Sequence, residues 1–169
     1  SPMKLFFELS PTKNIIGVTG TKGKGTTTSL IYKILKADKR RVFIGGNIGE
    51  APFGFFPKLR KNDWVVLELS SFQLEDMSTS PRIAVFTNFT KDHLAPADPS
   101  NPNYHKSMRE YWRAKINIFL HQNNNGVFIA NKRLETRISN FEFKENKKVI
   151  YFEKIEMKSK LAGEHNKEN

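Results

Sequence analysis

The sequence predicts an α/β fold in which a mostly parallel sheet is flanked by helices. Apolar runs of strand length alternate along the chain with amphipathic runs of helix length. A glycine-rich loop joins the first apolar run to the first amphipathic run, a junction typical of nucleotide-binding domains. Ligands of such folds bind at the carboxyl ends of the strands, so polar residues that follow strands are the candidates for a functional site.

Hydrophobic periodicity places the elements in chain order. The run Trp64–Leu69 is apolar apart from Glu68, as expected for a strand covered on both faces. Proline and glycine predict loops at Asn47–Asp63 and Ala95–Asn103. The predicted elements are strand 15–19, helix 26–37, strand 41–44, strand 64–69, strand 82–87, helix 107–122, turn 123–126, strand 127–130 and strand 148–152.

Composition indicates a packed domain. The chain has 169 residues, 38% of them hydrophobic and 14 of them phenylalanine, which suffices for a core. The absence of cysteine excludes disulfides and is compatible with a reducing cytosol, the location that we expect. No run approaches the about 18 apolar residues of a membrane span.

The net charge of +11 would suit an anionic partner. Between residues 132 and 160, however, lysines alternate with glutamates, a pattern of solvated surface without a nucleic-acid-binding motif. We therefore expect no nucleic-acid or membrane partner, and we expect a monomer.

The glycine-rich loop predicts phosphate binding. Its glycines let backbone N–H groups converge on phosphate oxygens, Lys24 reaches the β- and γ-phosphates, and a threonine hydroxyl can hold Mg²⁺. Gly25 separates Lys24 from the first threonine, so the match to G-x-x-x-x-G-K-[ST] is imperfect, and a plain glycine-rich turn is the alternative. The residues of this candidate site are Gly20, Thr21, Lys22, Gly23, Lys24, Gly25, Thr26 and Thr27.

Two polar groups follow or interrupt predicted strands. Glu68 lies inside an apolar run, where a carboxylate needs a cation or hydrogen-bond donors, so it is either a metal ligand or half of a structural ion pair. Asp92 and His93 lie beyond strand 82–87. They are either polar surface or, beside a nucleotide site, contacts to a metal or substrate.

Lys115 falls within the apolar stripe of helix 107–122. It either snorkels its ammonium out to solvent or is held close to phosphates or a metal. In the second case, desolvation would favour the neutral, nucleophilic amine, which can then be modified.

Together these segments resemble the Mur ligase superfamily, ATP-dependent amide-bond-forming ligases of peptidoglycan synthesis. Leu67–Glu75 most specifically resembles the branch that adds D-glutamate to UDP-N-acetylmuramoyl-L-alanine. The matching segments are 17–28, 45–49, 67–75, 88–94, 111–115 and 161–169.

The resemblance implies the P-loop, Rossmann-like central ATP-binding domain of such a ligase over residues 14–169. Residues 1–13 are interpreted as a cloning remnant or a linker from a preceding domain. We expect the domain to be truncated at its C-terminal end, with the N-terminal UDP-binding and C-terminal amino-acid domains absent. Such a chain should bind Mg·ATP weakly and catalyse no ligation alone.

The resemblance also implies a mechanism and roles. ATP phosphorylates a substrate carboxylate, and the amine of the amino acid attacks the acyl phosphate. Lys24 binds the β/γ-phosphates, Thr26 holds one Mg²⁺, and Glu68 and His93 ligate a second, close to Lys115, which matches a lysine that is carbamylated in the family. The other implied contacts are Asn47 and Ser70 near the uridine nucleotide, and Asn166 and Asn169 near adenine.

Some residues depart from the family pattern. Gly25 replaces the usual serine or threonine, and Ala95 stands where an aspartate often follows His-Leu. Folylpolyglutamate synthases of the same superfamily carry glycine at the first position, which makes a folate-type ligase one alternative. Ser70–Gln73 argues against it, because the folate enzymes have a glycine-rich stretch there. A nucleotide-binding module without ligase activity is the other alternative.

Overall fold

The structure is a computed structural model that describes residues 1–92, 94, 104–140 and 148–153. Twelve main helices and strands alternate along these residues, with 3-10 turns at Phe56–Lys58 and Lys132–Leu134. They are α1 (Pro2–Leu9), β1 (Ile15–Thr19), α2 (Lys24–Ala37), β2 (Val42–Gly46), α3 (Pro52–Phe55), β3 (Trp64–Glu68), α4 (Ser71–Leu74), β4 (Ile83–Phe86), α5 (Met108–Leu120), β5 (Val127–Asn131), α6 (Glu135–Ser139) and β6 (Lys148–Phe152).

The six strands form one sheet in the order β2-β3-β1-β4-β5-β6, and every neighbouring pair is parallel. This confirms the predicted α/β fold. Strand β1 lies between β3 and β4, so the chain segments that follow these three strands meet at one edge of the sheet.

Apolar side chains cover both faces of the sheet. Ile16, Val18 and Val66 on one face pack against α2, through residues such as Ile31 and Leu35. The larger core lies on the other face. It joins strand residues to α1 and α5, and its members include Ile15, Leu67, Phe86, Trp112, Ile116 and Phe119. The central strands are therefore buried on both sides, which accounts for their continuous apolar runs.

Residues 1–13, interpreted from the sequence as a linker, contain a helix that belongs to the core. In α1, Met3, Phe6 and Phe7 are buried, and the Phe6 ring contacts Phe53, Phe55 and Phe56 edge to face. The Ser1 hydroxyl caps the helix by accepting from the Lys4 amide. Three apolar residues within one eight-residue helix give too short a pattern for periodicity to distinguish this segment from a linker. Only the contacts with other aromatic rings show that the helix packs in the core.

The remaining differences lie at short elements. Helix α2 begins at Lys24 rather than Thr26, because Gly23 takes a left-handed φ of 79° and ends the loop there. The predicted loop Asn47–Asp63 contains α3, which starts at Pro52, a residue suited to a first helical turn. The four- and five-residue helices α4 and α6 were not predicted.

Candidate functional site

The candidate site lies at the carboxyl edge of the sheet, where the segments after β1, β3 and β4 meet. The register of β1 pairs Val18 with Glu68 of β3, and Thr19 with Phe86 of β4. The glycine-rich loop, the Glu68 carboxylate and residues 87–90 therefore converge at this edge. That convergence is the one expected from strand order.

The loop between β1 and α2 has a shape that requires glycine. A Cβ atom on Gly20 would collide with the Thr87 hydroxyl. Gly23 is the N-cap of α2, and no side chain caps the amides of the first turn. The N-terminus of α2 thus presents unsatisfied N–H groups and the positive end of the helix dipole, which together favour a phosphate.

Asn88 holds the loop from the neighbouring strand. Its side-chain Oδ1 accepts from the Lys22 amide at 2.9 Å, and its Nδ2 donates to the Lys22 carbonyl oxygen at 2.9 Å. The Thr87 hydroxyl donates to the same carbonyl oxygen at 2.7 Å. These bonds hold the loop in one shape without a ligand, as a preorganised phosphate site would require.

Lys24 is half-buried at the start of α2, with its ammonium 3.0 Å from the Thr21 carbonyl oxygen. It lies close enough to Lys115 for its charge to influence that residue. Both lysines therefore belong to the same loop region, and the ammonium of Lys24 favours an anionic ligand there.

Glu68 is buried, with 5% of its surface exposed. Its Oε1 accepts from Asn47 Nδ2 at 3.2 Å. Within the described residues, Glu68 forms no ion pair with a lysine, arginine or histidine, which leaves the predicted structural ion pair without support there. A buried carboxylate held by one amide is a group that a cation would stabilise.

Gly25 accounts for the space beside that carboxylate. A Cβ atom at position 25 would lie 3.0 Å from Glu68 Oε2, a distance tighter than most real Cβ contacts. The glycine that makes the loop depart from the common motif is therefore the residue that faces the glutamate. Its lack of a side chain leaves room at Oε2.

Lys115 is fully buried and does not snorkel to solvent, because only 1% of its surface is exposed. Its Nζ donates to the Gly20 carbonyl oxygen at 2.8 Å and lies 3.4 Å from Thr19 Oγ1. It also lies 4.8 Å from the centre of the Tyr111 ring. The lysine is thus held underneath the glycine-rich loop, so the snorkelling alternative is wrong, and closeness to phosphates or a metal stays a prediction.

Burial, and to a smaller extent the nearby charge of Lys24, lower the pKa of Lys115 from 10.5 to about 7. The carboxylates of Asp92 and Glu68 act in the opposite direction. A pKa near 7 means that a large fraction of the amine is neutral at physiological pH, and a neutral amine is nucleophilic.

Other predicted site residues have structural partners or lie outside the described part. The Ser70 hydroxyl caps α4 by accepting from the Gln73 amide at 3.2 Å, and the Gln73 side chain accepts from the Ser70 amide. The Asn47 amide donates to the Glu68 carbonyl oxygen at 2.9 Å. Predicted residues outside the described ranges are His93, Asn166 and Asn169.

Several residues around the site escaped the sequence analysis. The spacing Ser70–Gln73 is a capping-box signature that could have revealed α4. Asn88 and Thr87 carried a weaker signal, since they directly follow a strand. No sequence signal marked His105, which is 1% exposed and lies beside Ser71 and Tyr111.

A separate cavity of about 420 Å³ lies at the opposite edge of the sheet. Phe7 and Ile15 form part of its wall, and Lys13 and Arg82 supply cations. Arg82 donates to Asn14 Oδ1 at 2.9 Å, which gives that cation a structural partner. None of the predicted site residues lines this cavity.

Among the described residues, no His, Cys, Asp and Glu side chains group in threes or more as a metal-binding cluster would. No helix in that part of the chain has the length and apolar character needed to cross a bilayer.

Comparison with known sequences gives a consistent result. A family model described as the Mur ligase middle domain matches residues 18–160. A UDP-N-acetylmuramoylalanine–D-glutamate ligase from Clostridium acetobutylicum is 46% identical over 132 residues, which are 78% of this chain and 27% of the relative. The chain thus spans about a quarter of the length of the curated relatives that it matches.

Solved structures share the fold. A MurF ligase from Thermotoga maritima in complex with ADP aligns with a TM-score of 0.64 and 22% identity, over 91% of this chain and 37% of that one. A bifunctional folylpolyglutamate synthase/dihydrofolate synthase from Yersinia pestis aligns with a TM-score of 0.52 and 16% identity, over 90% of this chain and 45% of that one. At these identities the likeness establishes the fold alone.

Proposed function

Because the chain belongs to the Mur ligase family, matching its middle domain, we propose that it is the ATP-binding domain of a D-glutamate-adding ligase. The acceptor would be UDP-N-acetylmuramoyl-L-alanine, and the reaction would pass through an acyl phosphate. The proposal concerns the protein that contains this domain, since the 132 matched residues make up only 27% of the relative.

The observation that carries the proposal is the meeting of three groups at one loop. Lys24 lies at the start of α2, Glu68 faces Gly25, and the Lys115 ammonium lies against Gly20. A helix terminus suited to anions, a buried carboxylate that has no cationic partner among the described residues and a buried lysine together suit a nucleoside triphosphate with its metal.

The proposed reaction has two steps, phosphorylation of the acceptor carboxylate and attack of the amine on the acyl phosphate. A carboxylate oxygen of the acceptor attacks the γ-phosphorus of ATP, the bond to the β-bridging oxygen breaks, and ADP leaves. The amine of D-glutamate then attacks the acyl carbon, loses a proton and expels inorganic phosphate. Both steps move negative charge, so the protein contributes mainly by positioning and by electrostatic stabilisation.

The loop and α2 would hold the phosphates. The uncapped amides at the α2 N-terminus donate to phosphate oxygens, and Lys24 neutralises charge that develops on the leaving group. The bonds from Asn88 to Lys22 keep these donors in place without reorganisation.

The proposed site would hold Mg²⁺ that is shared with ATP. Magnesium prefers oxygen ligands and is commonly held by one or two carboxylates together with substrate phosphates and water. Thr26, half-buried in the first turn of α2, would hold one Mg²⁺ through its hydroxyl. The buried carboxylate of Glu68 would hold a second together with His93, a residue outside the described ranges. When bound, the metal ions would neutralise phosphate charge.

Lys115 would act in a modified form. A neutral amine attacks CO₂ to give a carbamate and releases one proton, and the pKa of about 7 makes that amine available at neutral pH. Carbamylation replaces a cation by an anion next to Glu68 and Thr19, which would suit a site that holds Mg²⁺.

The remaining roles stay proposals. Asn47 and Ser70 would approach the uridine nucleotide, in addition to their observed bonds to Glu68 and Gln73. Asn166 and Asn169 would approach adenine. Each of these residues can be substituted singly in the longer protein and scored by the Michaelis constant of its substrate.

A folate-type ligase is the second candidate, and the Lys24–Gly25 pair favours it. Ser70 and Gln73 favour the D-glutamate branch, because here they form a capping box in place of a glycine-rich stretch. The 46% identity to a D-glutamate ligase supports the same choice.

Product formation by the longer protein decides between them. It is incubated with ATP and Mg²⁺, and either with UDP-N-acetylmuramoyl-L-alanine and D-glutamate or with a folate and L-glutamate. We expect product from the first pair only, with Lys24→Ala inactive and Lys33→Ala, an exposed lysine of the same helix, fully active. Product from the folate pair alone, or equal effects of both substitutions, would contradict the proposal.

A further inference from the structure

His105 is a buried histidine that the proposed reaction does not use. It lies just before α5, and 1% of its surface is exposed. Its backbone pairs with Leu94, which places it beside the segment that follows β4. A polar ring at such depth must be satisfied by specific partners, and those partners lead toward the phosphate loop.

The first partner is the start of α4. His105 Nε2 lies 2.9 Å from the hydroxyl of Ser71, which is itself buried and stands three residues after Glu68. The ring is stacked on Phe72 with centroids 4.7 Å apart and planes 2° from parallel. His105 is therefore fixed in both position and ring orientation by the segment that carries Glu68.

The second partner is Tyr111 on α5. The His105 and Tyr111 ring centroids are 5.2 Å apart. The far end of the tyrosine reaches the phosphate loop, where its hydroxyl lies 3.3 Å from Thr21 Oγ1, and its face lies under the Lys115 ammonium. Burial raises the pKa of Tyr111 to about 12, so the phenol stays protonated and can donate.

Thr21 in turn shapes the loop. Its Oγ1 accepts from the Thr90 amide at 3.0 Å and lies 3.2 Å from the Thr90 carbonyl oxygen, while its own carbonyl oxygen accepts from Lys24. A displacement of Tyr111 would therefore shift Thr21, and the shift of Thr21 would in turn move the oxygen atom to which Lys24 donates.

We propose that His105 is a positioning residue of the nucleotide site, which holds the Tyr111 ring against Thr21 and Lys115 and anchors it to α4 through Ser71. The proposal rests on the proposed function for its effect on ATP, but its geometric part does not. The competing explanation is that His105 only fills the core, in which case its removal lowers stability without changing the loop.

The effect on binding is tested by a double-mutant cycle. Mg·ATP affinity of the chain is measured by calorimetry, well below the melting temperature, for His105→Ala, Tyr111→Phe and the double variant. We expect each single change to weaken binding by about 5-fold, the effect of one lost hydrogen bond, and the double variant to be no weaker than the worse single one. Additive losses would overturn the proposal, because His105 would then act without Tyr111.

A matched control separates positioning from packing. Phe128→Leu also removes a buried ring stack, that of Phe119 on Phe128, which lies about one helical turn beyond Lys115 toward the C-terminal end of α5. We expect it to lower the melting temperature while leaving the affinity unchanged. If it weakens binding as much as His105→Ala does, the role of His105 is merely structural.

A second measurement does not depend on nucleotide binding. Hydrogen exchange of the Thr90 amide reports the bond from that amide to Thr21 Oγ1. We expect exchange faster than in the parent chain for His105→Phe, which keeps a ring but loses the Ser71 bond, and for Tyr111→Phe, but not for Phe128→Leu. Unchanged Thr90 exchange in His105→Phe would overturn the proposal. A parent chain that binds no Mg·ATP would count against the proposed function and leave this test intact.

Discussion

The ammonium of Lys115 lies 2.8 Å from the carbonyl oxygen of Gly20, underneath the loop that the sequence marks as phosphate-binding. The ammonium at this point donates to a backbone oxygen of the loop, while the backbone amides of Thr21 and Lys22 donate to Asn88. The arrangement also lowers the pKa of Lys115 to about 7, so the charge is only half present at neutral pH.

Lys115 should make the stability of the chain depend on pH. Between about pH 7 and 10.5 the unfolded chain keeps the lysine protonated while the folded chain does not, so the unfolded state binds more protons and stability rises with pH. The gain is at most about 1.4 kcal/mol per pH unit. Above pH 10 the raised pKa of Tyr111 acts in the opposite direction, so the useful window ends there.

Urea denaturation of the chain and of Lys115→Met from pH 6.5 to 9.5, in buffers free of CO₂, measures this dependence. We expect the free energy of unfolding of the parent chain to rise relative to that of the variant as pH increases. Parallel curves would mean that the lysine keeps its ordinary pKa in the fold.

Phe6→Ala tests whether residues 1–13 belong to the domain. The side chain is fully buried among four aromatic rings, so its removal should lower the free energy of unfolding by about 3–5 kcal/mol. Leu9→Ala on the exposed face of the same helix should cost less than about 1 kcal/mol. Equally small changes in the free energy of unfolding at both positions would mean that residues 1–13 are a linker.

The sequence predicted the structure correctly where hydrophobic periodicity and local residue chemistry indicate the same element. The alternation of strands and helices, the glycine-rich loop after β1 and the place of Lys115 within the apolar stripe of its helix all follow from spacing that a single chain reveals, whereas the burial of the Lys115 ammonium was left open. Short elements were missed because four or five residues carry too little periodicity, as at α4 and α6.

Contacts between distant segments were also beyond sequence reasoning. The approach of Gly25 to Glu68, 43 positions apart, depends on the strand order, and so does the bond from Asn47 to Glu68 across 21 positions. His105 gave no signal because its partners belong to three separate elements.

Glu68→Gln should stabilise the fold and weaken metal-dependent binding. The carboxylate is 5% exposed and, within the described residues, has no cationic partner, so its neutral isostere removes a buried charge and keeps the shape. We expect the free energy of unfolding to rise by about 1 kcal/mol. ATP affinity, titrated with and without Mg²⁺, should lose its dependence on the metal. A variant that keeps the full Mg²⁺ dependence would remove Glu68 from the proposed metal site.

Gly25→Ala, like Glu68→Gln, should keep or raise the stability of the fold while it weakens Mg·ATP binding. Gly25 lies within α2 without a positive φ, so alanine is the better helix former there by about 1 kcal/mol. The new methyl group would lie 3.0 Å from Glu68 Oε2 and would displace the carboxylate. We therefore expect unchanged or higher stability together with Mg·ATP binding that is weaker by roughly tenfold, or about 1.4 kcal/mol.

Two further variants test whether displacement of the Glu68 carboxylate by the new methyl group causes the loss of Mg·ATP affinity. Ser29→Ala on the same helix should match any gain in helix stability without changing the affinity for Mg·ATP. Glu68→Asp shortens the carboxylate and should relieve the clash, so in the Gly25→Ala background it should cost less affinity than in the parent chain. Full additivity of the two substitutions would mean that the methyl group and the carboxylate do not meet, and that Gly25 is present for another reason.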